Sequence, residues 1–457
     1  MTWMILTSIL LLPACRKLIS VPPSGSEISA GDLYASDEGA EKVILGIYSS
    51  IMSVSNQKNM LNGGMSLFAG LSADELVRTS PSLVENAFYG YTLTSQNVSC
   101  NTLYTIGYRI IFQCNDALEK LPAARALSDS ARSELFGEAL FIRGLVYFYL
   151  VNLFGDLPLA VSTDYNKNDL LPRTSADTIY QQIIRDLLLA KQLLPDGYID
   201  HGLSPGQRIR PNKAAASALL ARVYLYRTAW AQAAQEATSV IGNISYHLET
   251  NLGKVFLASS KEAIWELQPV QESVNTAEGA MFVPASPTIP PTYALTKWLL
   301  NSFERGDRRL TNWTGTYNGT PQWVYPYKYK AANTSSQRVE YNTVFRLAEQ
   351  YLIRAEARVH MGDMTGAAAD VSMIRRRAGL SAAMVTDSSN MQAVIRHERQ
   401  IEFFAEWGHR WLDLKRTGHA DPILKAEKPG WNPQAVLYPI PYTDLTRDPN
   451  LVQNTGY

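Results

Sequence analysis

The sequence predicts a mostly α-helical protein in which tetratricopeptide-like helical repeats carry an irregular, loop-rich insertion. Three observations lead to this fold class. Several segments place apolar side chains at spacings of three and four, which is the period of a helix with one buried face. Two segments share the alanine spacing of paired helices, and the stretch between them is rich in proline and aromatic residues.

The composition is that of a folded globular protein. Hydrophobic residues make up 46% of the 457 residues and charged residues 18%, so the chain can bury a sizeable core and global disorder is excluded. Lysine plus arginine and aspartate plus glutamate both number 42, so no net positive field attracts polyanions. The charge balance therefore argues against nucleic acid as a main ligand.

The first segment, residues 1–14, is predicted to be a signal peptide. Residues 3–14 are almost entirely apolar, and this stretch is shorter than the roughly 20 residues that span a bilayer. It ends in the sequence LPAC, which is similar to the lipobox of bacterial lipoproteins, so a lipid anchor is expected on Cys15. The alternative is that this segment forms the buried start of the first helix.

Residues 15–36 are expected to form an extended tether behind the lipidated cysteine. This stretch contains Pro22, Pro23 and Gly25, which interrupt regular structure. Two further cysteines, Cys100 and Cys114, are too few for a disulfide framework and lack the spacing of a zinc site. Either one disulfide or two separate buried thiols is compatible with the sequence.

Four segments before residue 195 have the helical period. The third of them is apolar over much of its circumference, so neighbouring helices are expected to enclose it. It should end near Gly155, because Pro158 cannot continue a helix. The four predicted helices cover residues 37–52, 103–121, 132–154 and 176–194.

Two predicted helical hairpins, at residues 212–243 and 345–379, share an alanine spacing. Ala221 and Ala233 lie twelve residues apart on either side of a predicted turn, and Ala355 and Ala367 have the same separation. In tetratricopeptide repeats, small residues at this spacing let paired helices approach closely. The alternative is an ordinary helical bundle with alanine contacts.

Two irregular blocks interrupt the helices. Residues 262–340 contain many prolines and aromatic rings and are predicted to form an insertion packed onto the helices, too aromatic for a linker. Residues 62–100 form a smaller block. Binding residues occur disproportionately on loops that a rigid frame supports, so both blocks are candidates for recognition.

Three segments resemble the signatures of SusD/RagB outer-membrane lipoproteins of Bacteroidetes. The first is GEALFIRGLVYFYLVNLFGDLP at residues 137–158. The second consists of ERQIEF at residues 398–403 and GHRWLDLKR at residues 408–416. The third runs from PIP at residues 439–441 to the end of the chain. Order and spacing agree as well as composition, and the resemblance extends from one end of the chain to the other.

The resemblance implies a SusD-like α/α superhelix with an irregular C-terminal subdomain. It also implies a lipid-anchored, surface-exposed protein of the outer membrane that lies over a SusC-like TonB-dependent transporter and passes oligosaccharides or other nutrients to it. No catalytic residues carry over. The expected organisation beyond the tether is a SusD-like helical repeat region at 37–261, the aromatic- and Pro-rich insertion at 262–340, and a C-terminal SusD/RagB region with the last repeat pair at 341–457.

Sugar recognition requires flat apolar faces for the C–H side of the ring and planar amide or charged groups for its hydroxyls. The two irregular blocks supply both kinds of side chain. The alternative for most of the rings is that they pack the insertion onto the helices. The candidate ligand-binding residues are Asp74, Tyr89, Tyr91, Asn97, Asn101, Trp313, Tyr317, Trp323 and Tyr325.

The acidic residues are predicted to be structural. Glu398, Glu402 and Glu406 share one helix face, and pairing with Arg399 and Arg410 is favoured over acid/base catalysis. Asp74 and Glu75 are not excluded as a glycosidase pair, although adjacent carboxylates seldom converge. Motifs of zinc hydrolases, serine hydrolases and P-loop proteins are missing from the sequence, so no catalytic residue, metal site or cofactor is expected.

The leading hypothesis is a non-enzymatic lipoprotein that captures a glycan or another small nutrient and delivers it to a SusC-like transporter. The first alternative is a protein–protein scaffold of the outer membrane without a small ligand. A glycosidase built on a helical frame is a less favoured alternative.

Overall fold

The computed structural model describes residues 30–53, 58–199, 206–270, 275–331 and 337–457. The predicted signal peptide, the lipidation site at Cys15 and most of the predicted tether lie outside these ranges. Within them, Ala30–Leu33 forms a short helix where the sequence analysis predicts extended backbone. Leucine favours helical backbone, and the last proline of the tether, Pro23, lies before this helix.

Helices dominate the first half of the chain, and the strands between them are short. Several of the longer helices begin at a side chain that accepts a backbone N–H, as Ser36 does from Gly39 (3.1 Å). The elements are α1 (Ala30–Leu33), α2 (Asp37–Met52), a π-helix (Met65–Ala69), α3 (Gly70–Ser72), β1 (Leu76–Arg78), α4 (Leu83–Tyr89), α5 (Val98–Lys120), a 3-10 turn (Leu121–Ala123), α6 (Asp129–Phe154), β2 (Leu157–Pro158), α7 (Tyr165–Asn168), β3 (Arg173–Thr174), α8 (Ala176–Leu193), α9 (Lys213–Tyr226) and α10 (Trp230–Ile241).

The second half alternates short strands and helices before it returns to longer helices. Its elements are a 3-10 turn (Leu252–Lys254), β4 (Ala263–Leu267), α11 (Ala277–Phe282), β5 (Tyr293–Leu295), α12 (Lys297–Ser302), α13 (Arg308–Asn312), β6 (Thr314–Tyr317), β7 (Trp323–Pro326), β8 (Asn342–Arg346), α14 (Leu347–His360), α15 (Met364–Arg377), α16 (Ser388–Phe403), α17 (His409–Arg416), α18 (Ala420–Glu427), a 3-10 turn (Pro433–Val436) and α19 (Tyr442–Arg447).

Helix α6 is the centre of the first half, as its apolar circumference predicts. It packs against α2, α5 and α8, and nearly every side chain after its first turn is buried. Gly155 ends the helix with a φ of 75°, a left-handed conformation that glycine adopts without strain.

Helix α5 begins earlier than the predicted residue 103. The side chain of Asn97 accepts the N–H of Cys100 (3.0 Å) and starts a helical turn in which Cys100 is the one buried residue of 98–102, so the turn lacks an apolar period. Cys100 and Cys114 both lie on α5 as free, buried thiols. They do not form the disulfide that the sequence left open.

The two predicted helical hairpins are present and pack on each other. Helix α9 packs against α10, α10 packs against α14, and α14 packs against α15. Ala221 and Ala233 are fully buried in one cluster between the hairpins, and Ala355 and Ala367 are fully buried in the next cluster. Stacked helix pairs joined through small residues confirm the tetratricopeptide-like fold class.

The insertion predicted at 262–340 is tied to the helical frame at both ends. Strand β4 at its start pairs antiparallel with β8 just after its end, and both strands are fully buried. Further along, β5 pairs with β1 of the smaller block, and β6 pairs with β7 as a hairpin. The block is therefore a set of short elements held in place by pairing, and not a loose loop.

Candidate functional site

A buried ion-pair network underlies the insertion and confirms the structural interpretation of the glutamates. Glu398 and Glu402 are fully buried, and both accept from Arg309. Arg346 and Arg377 also pair with Glu402. Although burial alone would raise the pKa of Glu402, these three guanidinium groups hold that pKa well below its usual range.

The predicted partners of these glutamates were wrong. Arg399 instead pairs with Asp413 (2.6 Å), and Arg410 pairs with Asp74 (2.6 Å). The observed partners come from α13, β8 and α15, which are remote in sequence. Spacing along one helix therefore could not identify them.

Asp74 is part of this framework and not of an exposed surface. It is fully buried, and Arg410 donates to both of its carboxylate oxygens (2.8 and 2.6 Å). The neighbouring Glu75 has a different contact, since its carboxylate accepts the N–H of Ala405 (3.4 Å). Burial is the main cause that raises the pKa of Glu75 to about 8, and the negative charge of Asp74 raises it further. We therefore remove Asp74 from the candidate ligand contacts.

Tyr89 and Tyr91 are partly exposed and enclose a buried ammonium group. The Nζ atom of Lys428 lies 4.2 Å from the Tyr89 ring centroid and 4.7 Å from that of Tyr91. It also donates to the carbonyl oxygens of Leu71 (2.6 Å) and Ala73 (2.8 Å). Burial lowers the pKa of Lys428 to about 7. Both rings have a structural contact that the sequence did not predict.

Asn97 and Asn101 lie at the start of α5 and bond to the backbone. Asn97 caps the helix and donates to the carbonyl oxygen of Val84 (2.9 Å). The Asn101 amide, oriented with its nitrogen toward the backbone, donates to the carbonyl oxygens of Ser95 (3.1 Å) and Asn97 (3.2 Å). Their amides therefore hold local structure.

Trp313, directly before β6, is fully buried. Its Nε1 donates to the carbonyl oxygen of Leu252 (3.0 Å), and its ring lies under Lys328, whose Nζ is 4.8 Å from the ring centroid. A ring in this position cannot contact a soluble ligand. We remove Trp313 from the candidate contacts, as we did Asp74.

The β6–β7 hairpin carries the other three predicted rings on one face. Tyr317 is opposite Trp323, and Gly315 is opposite Tyr325 in the register of the hairpin. Side chains alternate along a strand, so these four residues share a face. The other face includes Val324, which packs against the core. Three partly exposed aromatic rings therefore project from the face that is turned away from the protein body.

Two glycines give the tyrosine rings their positions. A Cβ atom on Gly315 would lie 2.3 Å from the Tyr325 ring, and one on Gly319 would lie 2.2 Å from the Tyr317 hydroxyl. Each ring therefore lies against bare backbone. Tyr327, directly after β7, was not among the predicted site residues, and its ring centroid lies 6.0 Å from that of Tyr325. Its spacing of two residues after Tyr325, which repeats the spacing from Trp323 to Tyr325, was the signal that could have found it.

The two predicted groups of site residues are not in contact. Within the described ranges, no hydrogen bond, ion pair or ring contact joins the group at 74–101 to the rings of the hairpin. Strand pairing relates the two regions, since β1 pairs with β5 and β5 lies beside β7. Among the described residues, no cluster of histidine, cysteine or acidic side chains has the arrangement of a metal site.

Two family models match the chain. One, described as "Starch-binding associating with outer membrane", matches residues 41–225. The other, described as the SusD family and designated SusD_RagB, matches residues 288–457. The matches follow one another and together include most of the chain. The chain belongs to the SusD/RagB family.

Relatives of this family match three quarters of the chain or more. SusD-like protein P25 of Formosa agariphila is 24% identical in an alignment of 522 positions that covers 97% of this chain and 97% of its own. Starch-binding protein SusD of Bacteroides thetaiotaomicron is 26% identical in an alignment of 435 positions that covers 74% of this chain and 75% of its own. These two relatives agree with the predicted resemblance.

Solved SusD-like structures share the fold. A SusD superfamily protein of Bacteroides vulgatus superimposes with a TM-score of 0.79 at 21% identity, over 93% of this chain and all (100%) of its own. A laminarin-binding SusD-like protein superimposes with a TM-score of 0.78 at 23% identity, over 92% of this chain and 99% of its own. The predicted SusD-like superhelix is therefore confirmed.

SusD/RagB proteins are starch- or glycan-binding proteins associated with the outer membrane, and this chain is one of their family. None of the helices in the described ranges has the length and hydropathy needed to cross a bilayer.

Proposed function

We propose that the protein captures an oligosaccharide at the cell surface and delivers it to a SusC-like TonB-dependent transporter, without chemical change to the sugar. The observation that carries this proposal is the row of Tyr317, Trp323 and Tyr325 on the face of the β6–β7 hairpin that points away from the core. We refer to these three residues as the aromatic face.

The chemistry of the aromatic face suits a sugar. Ring faces cover the apolar C–H side of a pyranose, and planar amides bond its hydroxyls. Asn318 and Gln322 lie at the tip of the same hairpin, exposed and bonded to each other (3.0 Å). They supply such amides beside the rings. A shallow, open face of this kind favours weak and reversible binding, which suits transfer to a second protein.

The named relatives support a glycan as the ligand. One relative is a starch-binding protein and one structural neighbour binds laminarin. We therefore take starch and laminarin as the first probes. The buried, fully paired glutamates at 398–406 leave no exposed carboxylate pair there, and this favours capture over hydrolysis.

The binding proposal is tested by affinity electrophoresis in gels that contain laminarin or starch. The wild-type protein should be retarded by at least one of these glycans. The affinity of Trp323→Ala for that glycan should be at least roughly tenfold lower because one stacking surface is lost, so this variant should migrate close to its glycan-free mobility. Tyr442→Ala removes an exposed tyrosine of α19 and serves as the matched control. Full retardation of Trp323→Ala with an unchanged melting temperature would rule out the aromatic face.

We also propose that a lipid on Cys15 anchors the protein to the outer membrane, and this proposal is tested separately. Cells grown with an alkyne-tagged fatty acid should label the wild-type protein, while Cys15→Ala should remain unlabelled and leave the membrane fraction. Labelling that persists in Cys15→Ala would contradict lipidation at this residue.

The transporter proposal is tested by chemical crosslinking in intact cells, followed by identification of the crosslinked partner. A TonB-dependent barrel should be recovered with the wild-type protein in stoichiometric amount. Recovery of the protein alone would favour binding without delivery, and failure to bind any glycan would favour the scaffold alternative. Release of reducing sugar would favour the glycosidase.

A further inference from the structure

A recess lies on the helical frame, and its lining residues are remote in sequence from the aromatic face. It has a volume of about 330 Å³ and is formed by α5, by the segment around α7 and by α19. Tyr104, Tyr108 and Phe112 line one wall at helical spacing, and Tyr165 lines another. Phe112 and Tyr165 are exposed by 53% and 61%. We call this recess the α5–α19 groove.

The side-chain amides and one phenol of the α5–α19 groove use their hydrogen-bond donors within the protein. The Asn115 side chain donates to the carbonyl oxygens of Ala160 (3.0 Å) and Ser162 (3.2 Å). Asn168 donates to Ser162 as well (2.6 Å), and the Tyr108 hydroxyl donates to the carbonyl oxygen of Pro158 (2.8 Å). The Tyr108 hydroxyl is also bonded to the Tyr104 hydroxyl, and one of its two lone pairs can still accept a further bond. Apart from the Arg447 guanidinium, the groove therefore presents acceptors more than donors.

Acidic side chains outnumber basic side chains in the groove. Arg447 pairs with Asp169 (2.7 Å) and lies 5.7 Å from the centroid of the Tyr165 ring. Two more carboxylates, Asp444 and Asp448, line the same groove. Asp444 accepts from the neighbouring Thr443 hydroxyl (3.2 Å), and burial raises the pKa of its carboxyl group. After the Arg447–Asp169 pair is set aside, the remaining charge is negative.

Aromatic faces combined with spare acceptors and negative charge match one chemical group well. A protonated amine has three N–H donors and no acceptor, and it is attracted both to carboxylates and to aromatic faces. A neutral sugar hydroxyl needs acceptors and donors in similar number, and an anion would be repelled. The groove is also large enough for one small ligand, since binding pockets of comparable size hold such molecules.

We infer that the α5–α19 groove binds a small ligand through a protonated amine, which donates to the Asp444 carboxylate and the Tyr108 hydroxyl while Phe112 covers its carbon skeleton. This site goes beyond the proposed glycan capture and does not depend on it. An amino sugar and a lysine side chain both offer this amine, so the experiment uses one probe of each kind.

The test is isothermal titration of the wild-type protein at slightly below neutral pH with four probes. Glucosamine and Nα-acetyl-lysine amide carry the amine, and glucose and Nα-acetyl-norleucine amide are their neutral counterparts. At least one amine should bind while its neutral counterpart does not. The amine that binds identifies the source of the ligand, and either result supports the inference.

Variants assign the binding to the groove. Asp444→Asn keeps the shape and removes the charge, so amine affinity should fall about tenfold or more. Phe112→Ala, which alters an exposed ring and leaves the core intact, should also weaken binding. Asp196→Asn, which removes a carboxylate that is 87% exposed elsewhere on the surface, should have no effect.

The inference is overturned if neither amine binds, if the neutral probes bind equally well, or if Asp444→Asn and Phe112→Ala both bind as the wild type does. Trp323→Ala separates this site from the aromatic face, because it should lose glycan retardation and keep amine binding. Loss of amine binding in Trp323→Ala with an intact fold would place the amine on the hairpin and would also overturn the inference.

Discussion

Asp74 and Arg410 form a buried ion pair that joins the smaller irregular block to helix α17. Both carboxylate oxygens of Asp74 accept from Arg410, and the Asp74 side chain is shielded from solvent. When one partner of such a pair is removed, the other charge stays buried without compensation. The pair therefore contributes to the fold and not to ligand contact.

Asp74→Asn should lower the free energy of unfolding by about 3 kcal/mol, measured by urea denaturation. Asp177→Asn is the matched control, because Asp177 pairs with Arg227 at the surface and is 71% exposed, and its loss should cost less than about 1 kcal/mol. Glycan affinity of the folded Asp74→Asn protein should equal that of the wild type. A stable variant with lost glycan affinity would return Asp74 to the site.

Glu75 is expected to make stability depend on pH. Burial raises its folded-state pKa from 4.5 to about 8, so between these values the folded protein keeps a proton that the unfolded chain has lost. Stability from this group is fully present below the unfolded pKa and is lost as the pH rises to about 8. The wild type should lose about 1.4 kcal/mol per pH unit in this window relative to Glu75→Gln. Urea unfolding of both proteins across the window measures it, and parallel curves would contradict the assignment.

The β6–β7 hairpin is the element on which the proposed function depends. Its rings keep their positions because two glycines leave room for them. Its inner face is fixed by Val324 against the core, and Trp313, directly before β6, is fully buried. The element therefore presents rings on a rigid base, which limits the entropy lost on binding.

Gly315→Ala should displace the Tyr325 ring, since the new Cβ would lie within 2.3 Å of it. Because the ring is at the surface and free to move outward, stability should change by less than about 1 kcal/mol while glycan retardation is reduced. Gly46→Ala is the control, since nothing lies within 4 Å of its new Cβ in helix α2. It should stabilise the protein by about 1 kcal/mol and leave retardation unchanged. Full retardation of Gly315→Ala would show that the Tyr325 ring is not needed.

The stacked helix pairs depend on small residues at their contacts. Ala233 of α10 is fully buried next to Ala221 of α9 and Ala357 of α14. Ala233→Leu should cost about 1–3 kcal/mol because the added methyl groups have no space between the helices. Ala231→Leu changes an exposed residue of the same helix and should cost almost nothing. Equal stabilities in thermal denaturation would contradict close helix packing at this alanine.

At the scale of the whole molecule, helical period and small-residue spacing were sufficient to predict the architecture. The apolar circumference of α6 and the repeated alanines are local features, so the sequence shows them directly. The start of α5 was missed because a capping asparagine, and not an apolar period, begins it. Local signals therefore predict elements well and their ends less well.

Site residues were harder to predict because their contacts are remote in sequence. The partners of Asp74 and of the glutamates at 398–406 come from other elements, and Trp313 is buried by packing that no spacing reveals. Tyr317, Trp323 and Tyr325 could be grouped only when the hairpin register was known. The sequence supplied the residue types, and pairing of the strands selected which of them share a face.

The whole molecule consists of a helical frame that holds one aromatic hairpin. The insertion is fixed to the frame by the buried β4–β8 pair and by the network of Arg309, Arg346 and Arg377 around Glu402. A rigid frame of this kind suits repeated capture and release. We therefore propose that this protein holds a glycan on the hairpin and returns it unchanged.

The most direct test is equilibrium dialysis of the purified protein against a laminarin or starch oligosaccharide, followed by chromatography of the recovered sugar. We expect saturable binding by the wild type, recovery of the oligosaccharide at its original length, and loss of binding in a Trp323→Ala and Tyr325→Ala double variant that keeps the wild-type melting temperature. Shortened oligosaccharide, or a double variant that binds as the wild type does, would contradict it.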